Sequence, residues 1–252
     1  MRRFLCVTAL VFSGSGAFAD RIILRADSWC PYNCEPGSDA PGFMVEIARE
    51  ALGMHGHDVI YETVTWARAL EMARTGQTAG AIGAVPDEAP ELVYGDPIGT
   101  YEDAVAVRRG ETLDPGNAQT YAGWRIGVIN DYEYYGPISD YITANATDSS
   151  IVQYVSGKSP LEQNLRKLRA GRLDMVAEVT AVLAYALKGS GLSDEVEIIP
   201  TTTESPVYIG FSPTMPAAEV YKDQLDDGTR ELRRSGRLAE ILARYAMEDW
   251  VK

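Results

Sequence analysis

The chain has 252 residues, 46% of them apolar, and its 36 Asp and Glu outnumber 23 Lys and Arg to give a net charge of −13. That composition fits a globular protein with one or two cores and argues against disorder. It excludes a nucleic-acid binder built on a basic stripe, since Lys and Arg are scattered, and no apolar run reaches the roughly 18–20 residues of a membrane span.

Arg2 and Arg3, the apolar stretch from Phe4 to Phe12 and the small-x-small site Ala17-Phe18-Ala19 follow one another as the three regions of an export signal. Residues 1–19 are therefore expected to be a cleaved signal peptide, with the mature chain starting near Asp20 in the periplasm. The competing reading is a buried first strand or helix. Cys6 would leave with the signal. Cys30 and Cys34, in Trp29-Cys30-Pro31-Tyr32-Asn33-Cys34, would then pair in an oxidising compartment. So small a loop gains only about 2 kcal/mol from chain entropy. Its use is to hold a loop that carries Trp29, Tyr32 and Asn33. The spacing is not CxxC, which argues against a redox motif. His55 and His57 are the only histidines, too few to suggest a metal site.

In chain order, residues 21–26 read as a strand, followed by a loop rich in Pro, Gly and Asp. Phe43, Ile47 and Ala51 repeat at helical spacing over residues 43–52. Residues 59–61 form a short strand, 66–73 a helix and 79–85 a small, buried strand. Residues 104–107 and 125–129 are further strands, separated by a polar stretch. Ser159-Pro160-Leu161-Glu162 has the signature of a capping box with Pro at the first helical position. A strand over 174–177, a helix over 179–187 and strands over 196–199 and 207–211 follow. Leu238, Ile241, Leu242 and Tyr245 mark a C-terminal helix.

Strands and helices alternate throughout, so the fold class is α/β. The polar stretch after Val107 and the run Thr201-Thr202-Thr203 look like boundaries. They divide the mature chain into a first lobe over 20–107, an inserted second lobe over 108–205 and a return to the first lobe over 206–252, with a cleft between the lobes.

The order of segments resembles family 3 of the periplasmic solute-binding proteins, the extracytoplasmic receptors of ABC importers. The resemblance runs over nearly the whole mature chain. It rests on the loop through Tyr32, Pro41-Gly42-Phe43-Met44-Val45-Glu46-Ile47-Ala48, Trp66-Ala67-Arg68-Ala69-Leu70 and Gly95-Asp96-Pro97. In the second lobe it rests on Gly123-Trp124-Arg125-Ile126-Gly127-Val128 and Leu168-Arg169-Ala170-Gly171-Arg172-Leu173-Asp174. It implies a two-lobe periplasmic-binding-protein-like fold, a hinge of two crossing strands (Asp103–Val107 and Ser205–Phe211) and ligand capture by closure. It also implies a monomer that binds a small-molecule solute and docks on a membrane permease.

Family members that bind α-amino acids place an Arg after the strand matching residues 79–85, where it forks onto the ligand carboxylate. This chain has no Arg or Lys between Arg74 and Arg108, and the family's Gly-Thr-Thr is replaced by Asn130-Asp131-Tyr132. Two carboxylate-binding devices are missing, which points away from an ordinary α-amino acid. The family's ammonium-binding Asp falls near Glu178. That residue either accepts hydrogen bonds from a cationic or polyol ligand or is the N-terminal residue of the next helix. Trp66 matches a ring that stacks on ligand in the family. Trp29, Tyr32, Tyr132, Tyr134 and Tyr135 are further candidate rings, each able to grip a ligand or to pack the lobes. Arg68 either supplies the missing anion contact or is a solvated helix residue.

Three functions compete: a non-catalytic importer receptor, a sensory or accessory binder that signals to a membrane partner, and a dehydratase-like enzyme with Glu178 as general acid. The enzyme reading is the weakest, because its substrates carry carboxylates. No Walker A or Rossmann Gly-rich loop calls for a cofactor, and two isolated histidines do not make a triad.

Overall fold

The computed structural model describes residues 19–157 and 159–251; the expected signal lies almost entirely outside them. The first half comprises β1 (Arg21–Ala26), α1 (Phe43–Gly53), β2 (Asp58–Thr63), α2 (Trp66–Arg74), β3 (Gly80–Ala84), β4 (Gly99–Tyr101), β5 (Asp103–Arg108), β6 (Ile126–Ile129) and α3 (Gly136–Ala144). The second half comprises β7 (Val152–Val155), α4 (Pro160–Arg169), β8 (Met175–Val179), α5 (Thr180–Ser190), β9 (Val196–Pro200), β10 (Ser205–Phe211), α6 (Ala218–Ser235) and α7 (Arg237–Arg244).

The strands form two five-stranded sheets, ordered β2-β1-β3-β10-β4 and β7-β6-β8-β5-β9. In each sheet four strands run the same way and one, β10 in the first and β5 in the second, runs against them. The chain is thus two α/β lobes. It passes from the first sheet to the second at Glu102 and returns over residues 201–204. The first passage falls earlier than the polar stretch after Val107 suggested. β5 is wholly buried up to Val107 and is paired on both edges, to β8 and β9, so it belongs to the second lobe's core. The polar residues that follow it mark only where it reaches the surface. The crossings are held together: Thr201 N–H donates to the Asp103 carbonyl at 2.7 Å and Asp103 N–H to Thr202 Oγ1 at 3.0 Å.

The helix signals translate into packing. Phe43, Ile47 and Ala51 face the first core along with Ile22, Leu24 and Leu225. No side chain caps α1. Its first N–H groups, of Phe43 and Met44, instead donate to the carbonyls of Pro31 and Tyr32 at 3.0 Å each. The Cys-bounded loop therefore sits on the helix start. The capping box at Ser159 does not form, because Ser159 has φ −141° and ψ 64° and its side chain makes no capping bond; Pro160 still opens α4. In the second lobe, Asp174 clamps the entry of β6 by accepting from Arg125 Nε and Nη2, each at 2.8 Å, and from the Arg125 N–H at 2.9 Å. This gives the Arg125 and Asp174 of the two sequence motifs a structural role.

α1 and α6 pack at very close range. A Cβ on Gly228 would lie 2.6 Å from both the Cα and the Cβ of Ala51. Gly228→Ala is expected to lower the unfolding free energy by about 1–3 kcal/mol, since overpacking outweighs the gain in helix propensity. Urea denaturation measures this; equal or higher stability would show that the two helices separate at no cost.

Candidate functional site

In parallel sheets, ligand sites gather beyond the carboxyl ends of the strands. Here those ends face each other across the hinge. They enclose a chamber of about 70 Å³ between the lobes. The first lobe supplies Asp27 just after β1, Trp29 and Asn33 from the Cys-bounded loop, Trp66 from the first turn of α2, Gly83 from β3 and Glu88 beyond it. The second lobe supplies Asp103 from the start of β5, Tyr132 to Tyr135 after β6 and Glu178 from β8.

Two side-chain bonds cross the cleft. Trp29 Nε1 donates to Glu178 Oε1 at 3.1 Å, and the Tyr132 hydroxyl donates to Asp27 Oδ2. The Trp29 ring stacks on Tyr32 at 4.1 Å and lies against Gly83, whose φ of 92° and lack of Cβ leave the ring room. Trp66 Nε1 donates to Glu88 at 2.7 Å. Asn33 is 1% exposed; its Nδ2 donates to the Asp27 carbonyl at 2.6 Å, while its Oδ1 has no partner. Cys30 and Cys34 form the disulfide, with Cα atoms 4.8 Å apart, and so close the loop that carries Trp29 and Asn33.

Of the residues singled out in the sequence, Trp29, Trp66, Tyr132 and Glu178 meet in the chamber wall. Glu178 is paired opposite Ala104 within β8, so it is a strand residue with its carboxylate facing the cleft rather than the first residue of a helix. Tyr32 does not line the chamber. It is buried behind Trp29, packs on Phe43 and donates to the Thr100 carbonyl at 2.8 Å. Arg68 is exposed on α2 and absent from the wall, as its solvated reading requires. Asn130 and Asp131 line a larger neighbouring groove of about 930 Å³ instead. Asp131 adopts φ 64° there, which turns the chain so that Tyr132 enters the cleft.

Sequence reading missed Asp27, Glu88 and Asp103. Asp27 stands directly after a strand end, a position that could have marked it. Glu88 lies in the Arg-less stretch where the resemblance places a cation. Asp103 carried no local signal, because its place depends on which sheet β5 joins. Among the described residues, no group of three or more His, Cys, Asp or Glu side chains is arranged to hold a metal ion. No helix among them is long and apolar enough to cross a membrane.

No family model and no curated protein matches the sequence. Solved structures match its fold. One, from work on glutathione import through GshT and the cystine ABC importer TcyBC of Streptococcus mutans, aligns with TM-score 0.74 and 16% identity over 90% of this chain and 95% of that one. A histidine kinase sensor domain with similarity to periplasmic binding proteins aligns with TM-score 0.72 and 17% identity, over 91% and 98%. AncCDT-1, an ancestral amino acid-binding protein and precursor of cyclohexadienyl dehydratase, aligns with TM-score 0.68 and 13% identity, over 89% and 95%. Others are substrate-binding proteins of amino-acid ABC transporters. The fold is that of the periplasmic-binding proteins, the architecture that ABC-importer receptors use.

The chamber is acidic and contains no Lys or Arg among its lining residues. Burial pushes the Glu178 carboxyl up to about 7, with bonds from the Val179 N–H and Trp29 holding it back in part. Burial likewise pushes Asp27 to about 6 against the Tyr132 bond, and Asp103 to about 6 against a bond from the Tyr135 backbone. Glu88 is raised by burial too, with the Trp66 bond opposing. Unfolded carboxyls titrate near 4. Between pH ~4 and ~7 the folded chain therefore holds more protons than the unfolded chain, and its stability falls as pH rises. Asp174, held well below the usual carboxylate range by Arg125, works in the opposite sense at lower pH. Glu178→Gln should flatten the fall between pH 5 and 7.5 in thermal denaturation of the unliganded protein; an unchanged slope would mean that Glu178 stays ionised throughout.

Proposed function

We propose that the chain is an exported solute receptor that captures a small polar molecule between its lobes by hinge closure and presents it to an ABC importer in the membrane. One observation carries this reading: a chamber with walls from both lobes, bridged by Trp29–Glu178 and Tyr132–Asp27, beside a hinge of only two crossings. A solute that touches both walls stabilises the closed form, and closure is what a permease reads. The export signal over residues 1–19 would deliver the receptor to the periplasm. Its solute is not an ordinary α-amino acid, because no cation in the chamber wall meets a carboxylate.

A second reading is a sensory binder that passes closure to a separate membrane partner, which the kinase sensor-domain neighbour favours. An enzyme reading would use Glu178, whose pKa of about 7 suits a proton donor. It fails to explain how a carboxylated substrate would be held among acids.

A thermal-shift panel of α-amino acids, amines, sugars and organic acids tests the receptor reading. A ligand at 100 times its dissociation constant stabilises by roughly 2.7 kcal/mol, which moves the melting temperature by roughly 5–10 °C for a chain of this size. Small-angle scattering on the hit should show a more compact particle. Tyr132→Phe, which removes one bond across the cleft, should weaken that hit about tenfold, in line with roughly 1.5 kcal/mol for a hydrogen bond to a carboxylate. Binding with no change in compactness would sink the closure mechanism.

A further inference from the structure

The chamber wall is rich in carboxyl acceptors, with the hydroxyls of Tyr101, Tyr134 and Tyr135 beside them. Asp27, Glu88, Asp103, Glu133 and Glu178 line it, and among the described residues no basic side chain does. Glu178 and Asp103 are 4% and 8% exposed. Three of the wall's hydrogen-bond donors are already committed: the Trp29 indole to Glu178, the Trp66 indole to Glu88 and the Tyr132 hydroxyl to Asp27. A separate observation points the same way. Asn33, almost wholly buried in the same wall, spends its amide N–H on the Asp27 carbonyl and leaves its Oδ1 acceptor unpartnered. A buried acceptor without a donor costs free energy that a donor brought by the solute recovers.

A buried carboxyl that ionises is stabilised by a counter-charge. A polyol offers hydrogen bonds but no charge, whereas an ammonium or guanidinium offers both. The aromatic faces of Trp29, Trp66 and Tyr132 suit the alkyl shoulders of such a cation.

Size sets the shape. At about 70 Å³ the chamber is much the smaller of two adjoining spaces. The adjoining groove of about 930 Å³ shares Asp27, Trp66, Tyr132 and Glu178 with it, so these four residues form the partition between the two spaces. A chain attached to the head would run past Trp66 and Tyr132 into that groove, where Glu35, Asp131 and Glu162 stand with Arg166 among the described lining residues.

We propose that the solute is an elongated organic amine or guanidine that carries no carboxylate, with its charged head among Asp27, Asn33, Asp103 and Glu178 and its chain in the outer groove. This rests on the receptor reading and gives it a ligand class. A carboxylate on the carbon beside the head would be brought against like charges in a desolvated space, so the site selects against the parent amino acid.

Matched pairs that differ in the carboxylate test this directly. Binding of cadaverine against lysine, and of agmatine against arginine, is measured by calorimetry on the mature, disulfide-bonded protein, with a sugar panel alongside. At least one amine should bind at least 100-fold more tightly than its amino acid. Asp103→Asn and Glu178→Gln should each weaken that amine at least tenfold while raising the melting temperature of the unliganded protein. A purely structural role for these acids would lower that temperature. Equal or tighter binding of the amino acid, or binding of sugars and not amines, overturns the cation assignment and leaves the receptor reading standing. Silence from every class overturns the assignment and removes the receptor reading with it.

Discussion

Everything about this molecule depends on the chain crossing twice between two separately paired sheets. β5 is hydrogen-bonded on both edges within the second sheet, and β10 on both edges within the first. Pairing lapses at Glu102 and over residues 201–204, where the chain passes between the sheets, and the chamber lies at the strand ends between the two lobes.

The second constraint is electrostatic. Carboxyl groups from both lobes converge where water is scarce, and burial shifts Asp27, Asp103 and Glu178 towards neutrality. Indole and phenol donors relieve part of that cost, and in doing so they tie the lobes together. The same groups thus bridge the two lobes and set the charge of the chamber. Glu88 makes the point most plainly: where the resemblance leads one to expect a guanidinium for a ligand carboxylate, this chain places a half-buried acid that accepts a hydrogen bond from Trp66. The fold is shared with amino-acid receptors, but the charge of the chamber is opposite to what a carboxylate requires.

Much of the architecture was legible. The alternation of strand and helix, the apolar faces of α1, α4 and α7, and the pairing of Cys30 with Cys34 all follow from local pattern and are present. Local pattern failed where long-range partners decide. β4 and β7 are three and four residues long, too short for a period to show. α3 opens on Gly136 and Pro137, where local pattern assigns no element. β5 was placed on the wrong side of a boundary because polarity reports exposure, not which sheet a strand joins. Ser159 had the letters of a capping box but not the backbone angles.

For the site, the division is similar. The sequence by itself determined that the chain is acidic and that no Arg or Lys follows β3 before β4 begins, and it singled out Trp29, Trp66, Tyr132 and Glu178, which line the chamber. Those are properties of residue type and order. Only the tertiary structure decided that Tyr32 is core, that Arg68 is exposed, and that Asp27 meets Asp103 and Glu178 from across the cleft. Asp27 and Glu178 are separated by most of two lobes along the chain. Their shared desolvation, and the pKa shifts it causes, exists only once both sheets have formed and the hinge has brought their strand ends together.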